Sequence, residues 1–271
     1  METQLTHTSL LNHKHAIIFG AGGSIGTAVA KEFAAQGATV FLSGRRLGAI
    51  EQVAQEIHQD GGIAYAAEVD ALDEQAVQVY LDRVAKEAGS IDILLNITGP
   101  QPKDYGNSTS TLELPLEQFL LPLTTLVPSQ FITARAAARH MVQQHSGVIL
   151  FVTAIPVRGF ANATAIGSAF GARESLLRCL ATDLGPAGVR VVGIRSGAMV
   201  ETRTIQQSVE NAVQRLSISK EQVISMFEQR TLLKRLPTVA DTARLAAFLV
   251  SDGARNLTGA ILNASSGSVI D

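Results

Sequence analysis

Ala16-Ile17-Ile18-Phe19-Gly20-Ala21-Gly22-Gly23-Ser24-Ile25-Gly26 is the stretch that decides the fold. Its first four residues are apolar without alternation, as in a strand covered on both faces. The glycines that follow allow a tight turn and a close backbone approach. From Ser24 to Gln36, Ile25, Ala28, Val29 and Phe33 share one helical face, and Gly37 stops the helix. This order of strand, turn and helix leaves unpaired N–H groups and the positive end of a helix at the strand's end, where a pyrophosphate can be held. The spacing is not G-x-G-x-x-G, which would need glycine at Ile25.

The same rhythm continues outward. Thr39 to Leu42 reads as a strand, and Leu47, Ile50, Val53, Ala54 and Ile57 as a helix running to the turn Gly61-Gly62. Ile63 to Ala67 is a third strand. Val77, Tyr80, Leu81, Val84 and Ala88 line a helix that Gly89 ends, and Ile91 to Leu95 is a fourth strand. A helix ending near Gln144, a strand 148–152, a helix 164–183 and a strand 189–194 follow. A more polar helical insertion at about 201–230 precedes a helix 239–249 and a last strand 260–263. Strands alternating with helices predict one α/β domain over 15–271, after an N-terminal tail 1–14. The expected architecture is a single-domain doubly wound (Rossmann-like) parallel β-sheet with helices on both faces, its ligand crevice beyond the carboxyl ends of the strands.

Composition narrows the function classes. Among 271 residues, 22 Lys and Arg oppose 24 Asp and Glu, a net charge of −2, so no broad basic field exists for nucleic acid or an anionic membrane. The single cysteine, Cys179, excludes an intramolecular disulfide and any multi-cysteine metal site, and no metal is expected. Met1 to His15 is polar and lacks the apolar run of a signal peptide. Leu112 to Ala138 is broken by Pro115, Pro122 and Pro128 and carries charges, so it reads as core and not as a membrane span. These features predict a cytoplasmic protein.

The second strand ends in Ser43-Gly44-Arg45-Arg46, with no acid to meet ribose hydroxyls. A small residue followed by two guanidinium groups suits a 2′-phosphate, which arginine can hold in bidentate fashion, so NADP(H) is favoured over NAD(H). Two solvated arginines at a helix start are the alternative reading.

Taken together, these blocks resemble the short-chain dehydrogenase/reductase family from about His15 to the C-terminus. Phe19 to Gly26 stands where that family has T-G-x-x-x-G-I-G, and Asn96-Ile97-Thr98-Gly99 resembles its N-N-A-G. Val69-Asp70 looks like its adenine contact. Leu180 to Leu184, Gly188 to Val191, and Leu257 to Ala260 leading to Ser265-Ser266-Gly267 resemble its later signatures. The resemblance implies a cofactor site at Gly20, Gly22, Gly23, Ser24, Ile25, Gly26, Arg45, Arg46, Val69, Asp70, Asn96, Gly99, Ser196 and Gly197. Ser24-Ile25 is also similar to the enoyl-acyl-carrier-protein reductases, a divergent branch, but over two residues only.

The departures concern the Ser, Tyr and Lys on which the family's chemistry depends. Alignment on Gly147-Val148-Ile149 puts Ala154 at the Ser position, and Ile166 and Phe170 stand for the Tyr and Lys of Y-x-x-x-K. The helix Asn falls near Leu126, and the P-G after the sixth strand reads Ser196-Gly197. A register slip cannot repair this, because Tyr105 is the last tyrosine and no lysine lies between Lys103 and Lys220. A positioned acid contributes roughly 10²–10⁴-fold to such reactions. Thr153, Tyr105 and Arg158 are the candidate catalytic residues that remain. Arg158 and Arg195, just after crevice-side strand ends, could hold an anionic substrate or an enolate, with surface ion pairing as their other role.

The expected function is an NADP(H)-binding oxidoreductase transferring hydride to a small carbonyl or activated C=C substrate, with a non-standard or absent proton relay. Reduction of C=C is the less demanding case, since an enolate needs hydrogen-bond donors first and a proton later. The alternatives are a catalytically inactive nucleotide-binding sensor or assembly protein on this fold, and a lyase or isomerase. The resemblance also implies a homo-oligomer, a tetramer or dimer, packed through the helices at about 115–144 and 164–183, and makes 201–230 a lid.

Overall fold

The computed structural model describes residues 9–271. Seven strands, β1 (His15–Phe19), β2 (Thr39–Gly44), β3 (Ile63–Glu68), β4 (Ile93–Asn96), β5 (Gly147–Ala154), β6 (Val189–Ser196) and β7 (Ile261–Ala264), form one sheet in the order β3-β2-β1-β4-β5-β6-β7. Every pairing is parallel. Among the described residues eight α-helices connect them: α1 (Ser24–Ala35), α2 (Leu47–Gln59), α3 (Glu74–Ala88), α4 (Leu116–Gln144), α5 (Thr164–Leu184), α6 (Arg203–Leu216), α7 (Lys220–Gln229) and α8 (Val239–Val250). The fold is the doubly wound one that the alternation predicts. Strand order reverses between β1 and β4, and the crevice opens at that switch point.

Alternation along the strands builds two cores. Ala16 and Ile18 point into an apolar layer under α1, α2 and α8, while Ile17 and Phe19 point into the layer under α3, α4 and α5. Both layers are dry, which explains why β1 shows no polar face.

The boundaries differ from the sequence reading where side chains outvote hydropathy. Residues Ile91 and Asp92 precede β4: the Asp92 carboxylate accepts the His15 N–H and the Ser90 hydroxyl, and the Gln144 amide pairs with the Ile91 backbone. The stretch 112–138 is core only in part: Leu112 is 97% and Leu116 70% exposed, whereas Pro122, Leu126, Ala134 and the run 136–138 are buried. Length is the reason. The 29 residues of α4 span about 43 Å, whereas the eight of β5 span about 27 Å, so the first turns of α4 overhang the crevice. The tail is also more integrated than a free arm, because Leu11 is fully buried and its N–H donates to the Gln36 carbonyl. Residues 1–8 lie outside the described residues, including that part of the tail and of the polar stretch 1–15.

The insertion at 201–230 forms α6 and α7. Val209, Ala212 and Val223 give this pair a small core of its own, and Ser219 and Gln222 make a capping box at the start of α7. The pair covers the crevice at the carboxyl end of the sheet.

Candidate active site

The glycine turn is built as a cradle. Gly20 has φ +83°, and a Cβ there would lie 2.9 Å from the Ile97 carbonyl carbon. At Gly26 a Cβ would overlap the Gly20 carbonyl oxygen and sit 2.9 Å from Ala21 Cα, so α1 packs against the turn through the missing side chain. Gly23 caps α1, and no side chain satisfies the helix's first N–H groups. Unpaired N–H groups beside an open turn fit a pyrophosphate. The Ser24 hydroxyl donates to the Glu201 carbonyl at 2.9 Å, tying the turn to the segment that leads into α6.

The other nucleotide-side residues divide by role. Arg45 and Arg46 are exposed and make no ion pair among the described residues. Val69 is buried, and the Asp70 carboxylate accepts the Leu72 N–H at the end of β3. Gly99 lines the crevice against Leu126, and Ser196 at the end of β6 and Gly197 just after it line the crevice too. Asn96, in contrast, is 2% exposed and spends its side chain on Thr98 and Thr133, so it shapes the loop after β4.

A cavity of about 740 Å³ runs from the glycine turn to the lid helices. Ala154, Ile166 and Phe170, which the sequence reading aligns with the family's Ser, Tyr and Lys, all line it, and this part of its wall is apolar. Tyr105 also lines the cavity and shares a buried cluster with Leu126, Ala165, Ile166 and Ala169, which brings the last phenol of the chain near Ile166. Burial pushes its pKa up, against a smaller opposing effect of the Thr204 side chain. Tyr105 is therefore a neutral hydrogen-bond donor at physiological pH and a weak acid.

Thr153 reaches the cavity, but its hydroxyl proton goes to Glu174 Oε1 at 3.0 Å. Arg158, in the 3₁₀ turn Ile155–Arg158, does not line the cavity; its Nε lies 3.8 Å from the Asp271 carboxylate. Arg195 is neither an exposed ion-pair former nor a crevice residue. It is 4% exposed within β6, with Nε and Nη2 each 2.9 Å from the Glu174 carboxylate and Nη1 on Asp271. Period-2 alternation decides this: Ser196 takes the crevice side, and Arg195, in register with Thr153, turns toward Glu174 of α5.

The sequence reading passes over two residues of α5, Arg173 and Glu174, both buried. Arg173 lines the cavity floor, one turn beyond Phe170. Its Nη2 donates to Gln130 Oε1 at 2.6 Å and to the Asn96 carbonyl at 3.3 Å, and its guanidinium stands 5.8 Å from the Phe151 ring. No carboxylate pairs with it among the described residues, and burial lowers its pKa to about 10. The signal was available: Ile166, Ala169, Arg173, Leu177 and Leu180 form one buried helical stripe, with a cation at a core position.

The profile of the family described as "Enoyl-(Acyl carrier protein) reductase" matches residues 20–268. That span extends far beyond Ser24-Ile25, the pair that carried the likeness to that branch. The chain belongs to the short-chain dehydrogenase/reductase family. Among its relatives, 7alpha-hydroxysteroid dehydrogenase of Escherichia coli (strain K12) is 32% identical over 260 residues, covering 96% of this chain and 95% of that protein. L-rhamnose 1-dehydrogenase (NAD(P)(+)) of Azotobacter vinelandii is 32% identical, covering 97% and 99%. The crystal structure of an NAD+-bound xylitol dehydrogenase superposes with a TM-score of 0.87 at 28% identity, covering 95% of this chain and 99% of that one. A 7 alpha-hydroxysteroid dehydrogenase complexed with NADH and 7-oxo glycochenodeoxycholic acid gives 0.83 at 33%, covering 97% of each. These relatives are dehydrogenases, others of the matched proteins are reductases, and the family is one of oxidoreductases.

No helix among the described residues is long and apolar enough to cross a membrane.

Proposed function

We propose that the protein is an NADP(H)-dependent reductase of an activated C=C bond or a small carbonyl, working without the family's tyrosine acid. The observation that carries this reading is the asymmetry of one cavity. Its nucleotide end keeps the glycine cradle, while Ala154, Ile166 and Phe170 leave no acid–base pair at the other. Arg45 and Arg46, exposed beside Gly44, support a 2′-phosphate and hence NADP(H).

The bound dinucleotide would supply the hydride. The chain's own contribution is to place it and to receive the negative charge that appears on the substrate oxygen. The α1 N-terminus and Gly20 to Gly26 would hold the pyrophosphate, and the α6–α7 pair covers the crevice. Tyr105 stays protonated, a donor among the residues that line the cavity. The Thr153 hydroxyl is committed to Glu174, so it offers a substrate its lone pair and not its proton. Arg158 faces the C-terminus and serves to anchor it. With donors but no strong acid, an enolate is the better match than an alkoxide, its carbon taking a proton from water.

The same reading takes the protein to be a cytoplasmic homo-oligomer built on α4 and α5, with small-molecule ligands as its other partners. Stopped assays of NADPH oxidation against α,β-unsaturated ketones and esters test the main claim. Tight nucleotide binding without oxidation by any acceptor refutes catalysis and identifies a nucleotide-binding member of the family. Absence of nucleotide binding refutes both.

A further inference from the structure

The charged side chains that line the cavity are Arg173, Arg203, Arg215 and Arg230, and no Asp or Glu accompanies them among the described residues. Three of these arginines are exposed on the lid segment, where solvent satisfies them. Arg173 differs. It is 2% exposed at the floor, it has no ion-pair partner among the described residues, and its Nε has no hydrogen-bond partner. The neighbouring Gln130, fully buried on α4, leaves its Nε2 without a partner as well. Two orphaned donors and an uncompensated cation thus meet where α4, α5 and the end of β4 converge under the cavity.

Buried donors are nearly always satisfied, and a buried charge is ordinarily paired. A helical side chain leans toward the N-terminus of its helix, which in α5 is the crevice end, so the guanidinium is aimed up from the floor. Packing alone does not call for a cation here: the adjoining positions of the stripe, Ile166, Ala169 and Leu177, are aliphatic.

We infer that Arg173, held by Gln130, forms an anion subsite, and that the cavity takes an organic anion whose apolar body lies against Leu126, Ile166 and Phe170 with its carboxylate-type oxygens on the floor. This deepens the proposed function by naming the substrate class, and it rests on that reading's premise that the cavity receives a small organic molecule. A second source of oxygen ligands is the dinucleotide itself, whose ribose would also pass near the floor. An unpaired cation favours the anion.

The experiment is calorimetric titration with 2-naphthoate, its neutral isostere 2-naphthamide, and NADPH, each alone. In the parent protein the carboxylate binds at least tenfold tighter than the amide. Arg173→Met removes that preference, while Arg215→Met with Arg230→Met keeps it, and Arg173→Met changes NADPH affinity by less than threefold. Equal binding of both probes overturns the inference, and so does a preference that follows the lid arginines. A tenfold loss of NADPH affinity in Arg173→Met, with the carboxylate preference intact, assigns Arg173 to the nucleotide and also overturns it. Failure of NADPH to bind the parent sinks the proposed reductase without touching the carboxylate comparison.

Thermal unfolding provides a readout that a merely structural arginine would move the other way. Replacing both floor groups, Arg173→Met with Gln130→Leu, removes the orphans together, and the midpoint stays level or rises. A fall of more than about 5 °C would mean that the pair is structural glue.

Discussion

The bond between Glu174 and Arg195 offers the sharpest quantitative test of how this end of the sheet is held. Both side chains are 5% exposed, and the guanidinium meets the carboxylate through two bonds of 2.9 Å. Thr153 adds a third bond to the carboxylate, and Arg178 stands at 3.6 Å from it with 57% of its side chain exposed. In Arg195→Met the carboxylate keeps a hydroxyl and a solvated arginine, which do not replace a buried fork. Breaking a buried pair from one side costs about 3–5 kcal/mol. Glu174→Leu should fall at the lower end of that range, because Arg195 retains Asp271, whose carboxylate reaches solvent. The double variant leaves no buried charge, so its cost should be no more than about 1 kcal/mol. Urea denaturation with a common slope measures all three. The cycle then yields a coupling of about 5 kcal/mol, far above the ~0.5 kcal/mol scatter of independent sites. Additive costs within that scatter would show that the two charges do not depend on each other, and the geometric argument would fail.

Four further outcomes follow from the same structure. Gly26→Ala drives a methyl into the Gly20 carbonyl and should cost about 1–3 kcal/mol or more by overpacking, with nucleotide affinity falling at least tenfold; unchanged NADPH binding by fluorescence titration would argue against the cradle. Arg45→Glu with Arg46→Glu should leave the unfolding free energy within about 0.5 kcal/mol, as exposed positions do, while the ratio of NADPH to NADH affinity drops at least tenfold; an unaltered ratio refutes the 2′-phosphate assignment. Tyr80 and Tyr105 both have pKa values raised by burial from the ordinary 10.0, so the folded state holds their protons longer than the unfolded chain does. Stability should therefore be unaffected by them below pH 10 and fall as pH rises above it, a loss that Tyr105→Phe reduces in pH-dependent melting curves. Ala154→Ser, Ile166→Tyr and Phe170→Lys together rebuild the family's acid on a wall that already faces the cavity; carbonyl reduction should rise by roughly 10²-fold, the lower end for a positioned acid, and no gain would mean that the nicotinamide does not reach this wall.

Much of the fold is legible in local pattern, because a parallel sheet dry on both faces writes itself as unbroken apolar runs, and glycine turns mark its ends. The glycine cradle reads equally well: only residues without a side chain permit Gly26 to touch Gly20. Errors arose where length or partner mattered. Hydropathy marks Leu112 and Leu116 as core, yet α4 is longer than the strand it covers, so its first residue Leu116, and Leu112 in the turn before it, lie past the sheet. Hydropathy also marks Arg195 as surface, yet Glu174, distant in sequence, makes its burial tolerable. The missing Tyr and Lys could be found by counting alone. That Tyr105 returns to the side of Ile166 could not, since the contact joins a loop after β4 to the start of α5.

By itself, then, the sequence determined the class of protein: strand spacing, the glycine turn and the dispersed family blocks are local, and each is carried by residues adjacent in the chain. It also determined what is absent, because a residue type that does not occur cannot be supplied by folding. Tertiary structure alone decided what fills the gap. The cation at the cavity floor comes from α5, its partner from α4 and its carbonyl from β4, and only packing brings those three together and leaves the charge without a carboxylate. The cost of burying a charge depends on its surroundings in space, so whether Arg173 is a surface residue, a structural tie or a ligand-binding group is not written in its own neighbourhood of the chain.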